Sequence, residues 1–162
     1  MSGPMGGYPR GFLATLWSLL ALILATGLLL LPGALELRLE WDPGWRLPGG
    51  SRIAAAAAHA ALAFVLSAAF GALAPLHMRS GWKRRQNRWT GIALIAGFIT
   101  LTLSALGLYY IADEDFSRLL SLLHWILGLA ATLPLAIHAI AGLRLRRERL
   151  RLREVARHRA PD

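Results

Sequence analysis

The chain has 162 residues, of which 56% are hydrophobic and 17% charged, and its mean hydropathy is +0.47. This balance excludes an ordinary soluble domain of this size and predicts a small integral membrane protein. The chain has no cysteine, which excludes disulfides, thiolate metal sites and covalent c-type haem, and leaves histidine as the good nitrogen ligand for a metal.

Apolar runs long enough to span a bilayer predict an all-α integral membrane four-helix bundle. The runs are Phe12 to Leu31, Ile53 to Leu76, Ile92 to Ala112 and Leu119 to Leu143. We divide the chain into a short N-terminal tail (1–11), the transmembrane domain (12–143) and a basic tail (144–162). Short connections predict that consecutive helices are antiparallel neighbours.

The net charge of +9 is unevenly divided between the two ends of this bundle. Most of the lysines and arginines lie in the second connection and the C-terminal tail, whereas most of the acids lie in the other two connections. The positive-inside rule therefore predicts that both termini are cytoplasmic, in a bacterial-type inner (plasma) membrane. Directly after a span, the basic tail favours anionic lipids as its partner, and we expect no nucleic acid.

The first apolar run has no ionisable residue and is too long for the core of a signal peptide, so we expect a retained span. Its points for close approach or hydrogen bonding are Thr15, Ser18, Thr26 and Gly27. The connection from Pro32 to Arg52 is the only one with room for structure. We interpret its Trp41 and Trp45 as interfacial anchors; the functional alternative is a cap that receives a partner protein.

The second span begins with an alanine-rich stretch that contains His59. Such small side chains leave a hollow between helices unless something flat fills it. His77 follows 18 residues later, which is five whole α-helical turns, so the two imidazoles share one face.

The next loop carries Trp82, Trp89 and a basic cluster. A role of this loop in setting the membrane topology would explain these residues. In a sharper interpretation, Arg79, Lys83 or Arg84 pairs with carboxylates of a bound cofactor. The third span has no histidine and ends in Tyr109 and Tyr110, typical of an aromatic belt.

The fourth run carries His124 and His138 and no other ionisable side chain. Their 14-residue separation places them about 21 Å apart along the helix and within about 40° of each other around it. Ionisable groups inside a span usually face the bundle interior. In an antiparallel bundle, His124 then lies level with His59 near the outside, and His138 lies near His77 on the inside.

Two facing pairs of neutral imidazoles suit the axial ligation of haem iron. A macrocycle also needs relief beside each ligand, and three of the four histidines have glycine four residues later; the fourth has alanine. These small residues are Gly81, Gly128, Gly142 and Ala63.

Alternatives stay open. The histidines could instead hydrogen-bond between helices in a haem-free scaffold or assembly subunit, or relay protons in a transporter. A zinc site is disfavoured, because zinc takes about four ligands together. We expect the side chain of His158, in the basic tail, to be solvated.

The segments HMRSGWKRRQNRWTG and HWILGLAATLPLAIHAIAG, with a glycine-containing third span ending GLYY, resemble the small four-helix di-haem membrane cytochromes b. The resemblance covers about Arg52 to Arg147. The H-x13-H spacing of the fourth helix is characteristic of that family. The H-x17-H spacing of the second is longer than the familiar pattern and puts His77 at the membrane edge, so the outer haem is expected to be the more secure.

The resemblance implies two molecules of haem b, one on His59 and His124 and the other on His77 and His138. It further implies Arg52, Arg79 and Arg118 as partners of the haem propionates. The expected function is electron transfer between a quinone or quinol and a periplasmic or membrane redox protein. Whether the chain is a carrier or an oxidoreductase subunit, and whether it forms homo- or hetero-oligomers, stays open.

Overall fold

The computed structural model describes residues 11–159, and this part of the chain contains helices and no strand. The long helices are α1 (Phe12–Leu39), α2 (Gly49–Leu73), α4 (Arg88–Tyr110), α5 (Glu114–Ala130) and α6 (Thr132–Arg159). A π-helical turn (Ala74–Met78) and the short α3 (Arg79–Lys83) connect α2 to α4. The prediction of an all-α chain with four long apolar helices is confirmed; the fourth consists of α5 and α6 in succession.

The distribution of buried residues is that of a protein surrounded by lipid. Four helices are long and apolar enough to cross a membrane: Phe12–Leu39, Gly49–Leu73, Arg88–Tyr110 and Glu114–Leu152. Large apolar side chains such as Phe64 and Leu103 are mostly exposed, whereas Ser104 is only 2% exposed and Ser117 only 5%. Small residues lie at the helix contacts, as is usual between membrane helices. These features indicate a multi-pass membrane protein.

Helix α1 is longer than predicted. It continues through Pro32 to Leu39, so the first connection shortens from 32–52 to residues 40–48. Proline removes one backbone hydrogen bond from a helix. Here Pro32 and Gly33 are buried, and the Arg52 Cδ atom lies 3.4 Å from the position that a Cβ atom of Gly33 would take. This packing against α2 offsets the lost bond, which hydropathy alone does not reveal.

Prolines also interrupt the second and fourth spans. The backbone N–H of Ala74 bonds to the Gly71 carbonyl, and the chain continues through Pro75 as the π-helical turn. Pro134 has no N–H for the carbonyl of Ala130, and the helix breaks at Ala131. The assumption of a straight α-helix from His59 to His77 is therefore wrong, because the π turn changes the rotation before His77.

The helices that carry histidines lie diagonally across the bundle. Helix α1 packs closely against α2 and α5, and α4 packs closely against α5 and α6. Across residues 11–159, no comparably close backbone packing joins α2 to α5 or α6. Between α2 and α4, the rings of Phe70 and Phe98 stack with centroids 4.2 Å apart. The histidines of α2 and the π turn meet those of α5 and α6 as two ring pairs.

Helix α5 begins with a side-chain cap, which makes a simple test of the fold. The Asp113 carboxylate accepts a hydrogen bond of 2.8 Å from the backbone N–H of Phe116. We expect Asp113→Ala to lower the free energy of unfolding by about 1 kcal/mol. Asp113→Asn, which keeps the acceptor, should lose much less. Thermal unfolding of both variants in detergent, followed by circular dichroism, checks this; equal stability of the two would contradict the cap.

Candidate functional site

The outer pair of histidines meets inside the bundle. His59 of α2 and His124 of α5 are both half-buried, with ring centroids 6.3 Å apart and ring planes at 77°. Two metal–nitrogen bonds of about 2.0 Å, placed in line with ring centres about 1.15 Å from their nitrogens, would put the centroids about 6.3 Å apart. The centroid separation therefore equals that of two imidazoles that hold one metal ion through facing nitrogens.

The inner pair lies closer together. The ring centroids of His77 and His138 are 5.8 Å apart with planes at 62°, and their Nε2 atoms face each other at 3.5 Å. Two metal–nitrogen bonds require about 4 Å between the nitrogens. A metal between these rings would therefore need the pair to open by about half an ångström. At 3.5 Å the same atoms are within reach of a direct hydrogen bond between imidazoles.

Hydroxyl groups contact the Nδ1 atoms of three of the four imidazoles. The hydroxyl oxygens of Thr26, Ser104 and Thr90 lie 2.9 Å from the Nδ1 atoms of His59, His124 and His138, respectively. Thr26 lies on α1, and the other two hydroxyls lie on α4. The two helices without histidines therefore supply the groups that fix the rings, and each of these three rings presents its other nitrogen, Nε2, away from the hydroxyl.

The glycines four residues after the histidines lie in open or loosely packed positions. A Cβ atom added at Gly142 would meet nothing within 4 Å, and one at Gly81 or Gly128 would make only an ordinary contact at 3.8 or 3.9 Å. Ala63 is half-buried. Glycine inside a helix costs about 0.5–1 kcal/mol relative to alanine. Gly142 is exposed, and packing of the described chain gives no reason for that cost there.

The three arginines expected to pair with propionates lie in different surroundings. Arg52 is half-buried against Gly33 of α1, seven residues before His59. Arg118 is exposed, six residues before His124. Arg79 is exposed at the start of α3, two residues after His77. Each arginine is thus close in sequence to one histidine, and their role toward a cofactor stays a prediction.

Side-chain hydrogen bonds and a cation–π contact hold the chain from Trp82 to Arg88, beside the inner pair. Arg88 donates hydrogen bonds of 2.6 and 3.2 Å to the Trp82 carbonyl, and its guanidinium lies 4.8 Å from the centre of the Trp82 ring. Arg149, on the basic extension of α6, donates to the side chain of Gln86. Asn87 donates to the backbone carbonyl of His138 at 3.4 Å. The basic extension and the loop therefore form one continuous surface with the inner site. The side chains of Lys83 and Arg84 are exposed on that surface.

Sequence reasoning missed Thr90 and Ser104 and named Thr26 as a point for close approach or hydrogen bonding without its partner. A signal for two of these three residues was present, because Thr26-Gly27 and Thr90-Gly91 are the same dipeptide on the two helices without histidines. In each case the glycine lies beside the Cε1 atom of the ring that the threonine contacts: a Cβ atom would come within 3.3 Å at Gly27 and 3.9 Å at Gly91.

The arrangement offers two separate two-nitrogen sites and no larger cluster. Among the side chains that the structure describes, there is no group of three or more His, Asp or Glu that could hold a metal ion. Such a group is what a zinc ion would need, whereas haem iron takes four nitrogens from the porphyrin and only the axial ligands from the protein.

Comparisons with known proteins add no relative. No protein-family model, no curated protein and no solved structure matches the chain.

Proposed function

We propose that the protein is a membrane b-type cytochrome that carries electrons through two bis-histidine haems. The observation that supports this most directly is the pair of facing imidazole couples at two depths, one with ring centroids 6.3 Å apart and the other with Nε2 atoms 3.5 Å apart. Ionisable side chains inside a membrane are costly, so four imidazoles arranged in two pairs call for a functional explanation. Axial ligation of two haem irons would explain all four.

The residues present fit the group. His59 and His124 would hold one haem, and His77 and His138 the other. Haem, when bound, supplies a one-electron carrier, and two axial imidazoles leave its iron no open position for a substrate. Diagonal placement of α2 and the α5–α6 pair leaves the ligands to meet in the centre of the bundle. Gly142, Gly128 and Gly81 supply the small surfaces beside the rings, and Arg52, Arg118 and Arg79 supply positive charge for propionates.

The charge distribution supports an orientation with both termini in the cytoplasm of a bacterial-type cell, the protein lying in the inner membrane. In that orientation the His77–His138 pair is near the cytoplasmic surface. The basic extension of α6 then lies against anionic lipid headgroups, which attract arginines that directly follow a span.

A quinone or quinol is the proposed electron partner at one end. Beside the π turn is an open surface depression of about 370 Å³, lined by Ala74, Met78, Arg79, Trp82 and Lys83. Its apolar floor and cationic edge suit a ring that carries polar oxygens, and it adjoins the turn that contains His77. At the other end, a periplasmic or membrane redox protein would meet the connection whose Trp41 and Trp45 are exposed and whose Arg46 pairs with Glu36 of α1.

A haem-content measurement on the purified full-length chain tests this proposal. We expect a reduced-minus-oxidised difference spectrum of b type and a pyridine haemochrome assay that gives two haems per chain. Protein expressed without haem supply and then titrated with haemin should reach the same ratio. A folded helical protein that takes up no haem under either condition would overturn the proposal.

The 3.5 Å separation of the His77 and His138 Nε2 atoms favours one other function, a haem-free scaffold or assembly subunit. At this distance one imidazole can donate directly to the other and join α6 to the π turn without a ligand. In such a protein, replacing His77 by glutamine, which can still hydrogen-bond, would preserve function. An axial ligand cannot be replaced in this way.

A further inference from the structure

The hydroxyls of Thr26, Ser104 and Thr90 each have one proton, and the structure gives that proton a recipient in the hydroxyl's own helix. Thr26 donates to the Leu22 carbonyl at 2.9 Å, Ser104 to the Leu101 carbonyl at 2.9 Å, and Thr90 to the Asn87 carbonyl at 3.1 Å. With its proton engaged, each hydroxyl can only accept from the imidazole that it contacts.

In the arrangement that keeps both hydrogen bonds of the hydroxyl, the ring carries its proton on Nδ1. In a neutral imidazole, one nitrogen donates and the other accepts, so a protonated Nδ1 leaves the lone pair on Nε2. This holds for His59, His124 and His138. In the inner pair, the His138 Nε2 atom that receives this lone pair is the one that faces His77. The hydroxyl contacts thus favour the ligand-competent tautomer, and in the inner pair the lone pair of His138 points toward His77.

The glycine after each threonine also lies beside the ring, closely at Gly27 and at an ordinary contact distance at Gly91. A Cβ atom at Gly27 would lie 3.3 Å from the His59 Cε1 atom and 3.8 Å from its Nδ1 atom. A Cβ atom at Gly91 would lie 3.9 Å from the Cε1 atom of His138. The same Thr-Gly dipeptide therefore meets one outer and one inner imidazole along the same edge of the ring, from two different helices. Packing that is unrelated to the rings would not produce this repetition.

We propose that Thr26, Ser104 and Thr90 are positioning residues, which fix the tautomer and orientation of the axial histidines and lower the reduction potential of the iron that each histidine would hold. This inference rests on the proposed haem function. The hydroxyls act through the imidazoles and do not touch the cofactor. A hydrogen bond accepted from Nδ1–H makes the ring a stronger electron donor to a metal and so favours the oxidised iron.

The test uses Thr26→Val and Thr90→Val, because valine keeps the branched shape of threonine and removes the acceptor. Thr26→Ser, which retains a hydroxyl, is the conservative variant. Thr102→Val is the matched control, because the Thr102 hydroxyl donates to the Phe98 carbonyl of its own helix at 2.9 Å and has no contact with a histidine among the described residues.

Two readouts are measured on the full-length chain. In haem-free protein with 15N-labelled histidine, ring-nitrogen chemical shifts report the tautomer of each imidazole. Thr26→Val should remove the preference for Nδ1–H at His59 and leave His138 unchanged, and Thr90→Val should do the reverse. In haem-loaded protein, Thr26→Val should raise the midpoint potential of the outer haem alone and Thr90→Val that of the inner haem alone, each with about a 10- to 100-fold loss of haem affinity.

The outcomes separate this inference from the function on which it rests. Loss of the tautomer preference, with rescue by Thr26→Ser and no effect of Thr102→Val, supports the positioning role. Unchanged tautomers in the valine variants overturn it, even if the wild-type protein binds two haems. If the wild-type protein binds no haem, the proposed function fails, and the tautomer measurement still decides whether the hydroxyls fix the rings.

Discussion

Replacing His59 by alanine should reduce the haem content from two per chain to one, and replacing His77 should do the same by removing the other haem. Each substitution takes one of two axial ligands from one site and leaves the other couple, at a different depth of the bundle, intact. The proposed haems would be held without a covalent bond, since the chain has no cysteine, so loss of a ligand should weaken their retention strongly.

The two variants should differ in which haem they keep, and pyridine haemochrome content with redox titration of each variant measures this. The double variant His59→Ala/His77→Ala should contain none. His158→Ala, which removes an imidazole from the basic tail, is the matched control and should keep both haems. Two haems in either single variant would refute the pairing, and loss of both from one variant would show that the two couples are not independent.

Enlarging Gly142 to leucine should remove the inner haem and leave the fold unchanged. A Cβ atom at this position meets nothing within 4 Å, and leucine is a better helix former than glycine by roughly 1 kcal/mol. The protein itself should therefore tolerate the change or gain stability from it. A macrocycle on His138, one helical turn away, would lose the space beside its ligand.

Gly71→Leu is the matched control for this variant. Gly71 is also a helical glycine with nothing within 4 Å of an added Cβ atom, and it lies on α2, six residues before His77 and not four residues after a histidine. Haem content near one per chain for Gly142→Leu and near two for Gly71→Leu, with similar thermal unfolding of the haem-free proteins, is the expected pattern. If Gly142→Leu retains two haems, the inner macrocycle does not occupy this space.

The spans and the depths of the histidines could be predicted because a helix bend changes neither the apolar run nor, by much, the rise per residue. A run of apolar residues marks a span wherever the helix begins or ends, and a rise of about 1.5 Å per residue sets depth even across a break such as Ala131. His59 could therefore be matched with His124, and His77 with His138, and the structure brings each couple together. Their role as haem ligands stays a prediction.

The helix ends and interruptions could not be predicted because tertiary contacts decide them. Pro32, Pro75 and Pro134 carry the same local penalty, yet the first lies inside a continuous helix, the second lies in a π turn and the third follows a helix break. Pro32 and Gly33 are buried, with Gly33 beside Arg52, and this distinguishes the first case; the contact joins residues about 20 positions apart.

The hydroxyl contacts were out of reach for a related reason. Thr26 is 33 residues from His59, and Thr90 is 48 from His138. Whether a threonine in a span faces a ring or lipid depends on the rotation of its helix, and α1 and α4 have almost evenly apolar surfaces that give no preferred face. The repeated Thr-Gly dipeptide was visible in the sequence, but its meaning came only from the imidazoles opposite it.

Because the outer site draws His59 from α2, His124 from α5 and its hydroxyls from α1 and α4, it is complete only when every span has been released into the bilayer. A nascent chain with three spans contains one imidazole of each couple and no partner for it. Loading of the proposed cofactor therefore has to follow biogenesis of the whole chain, and a loaded protein would be a marker for correct insertion of its last span.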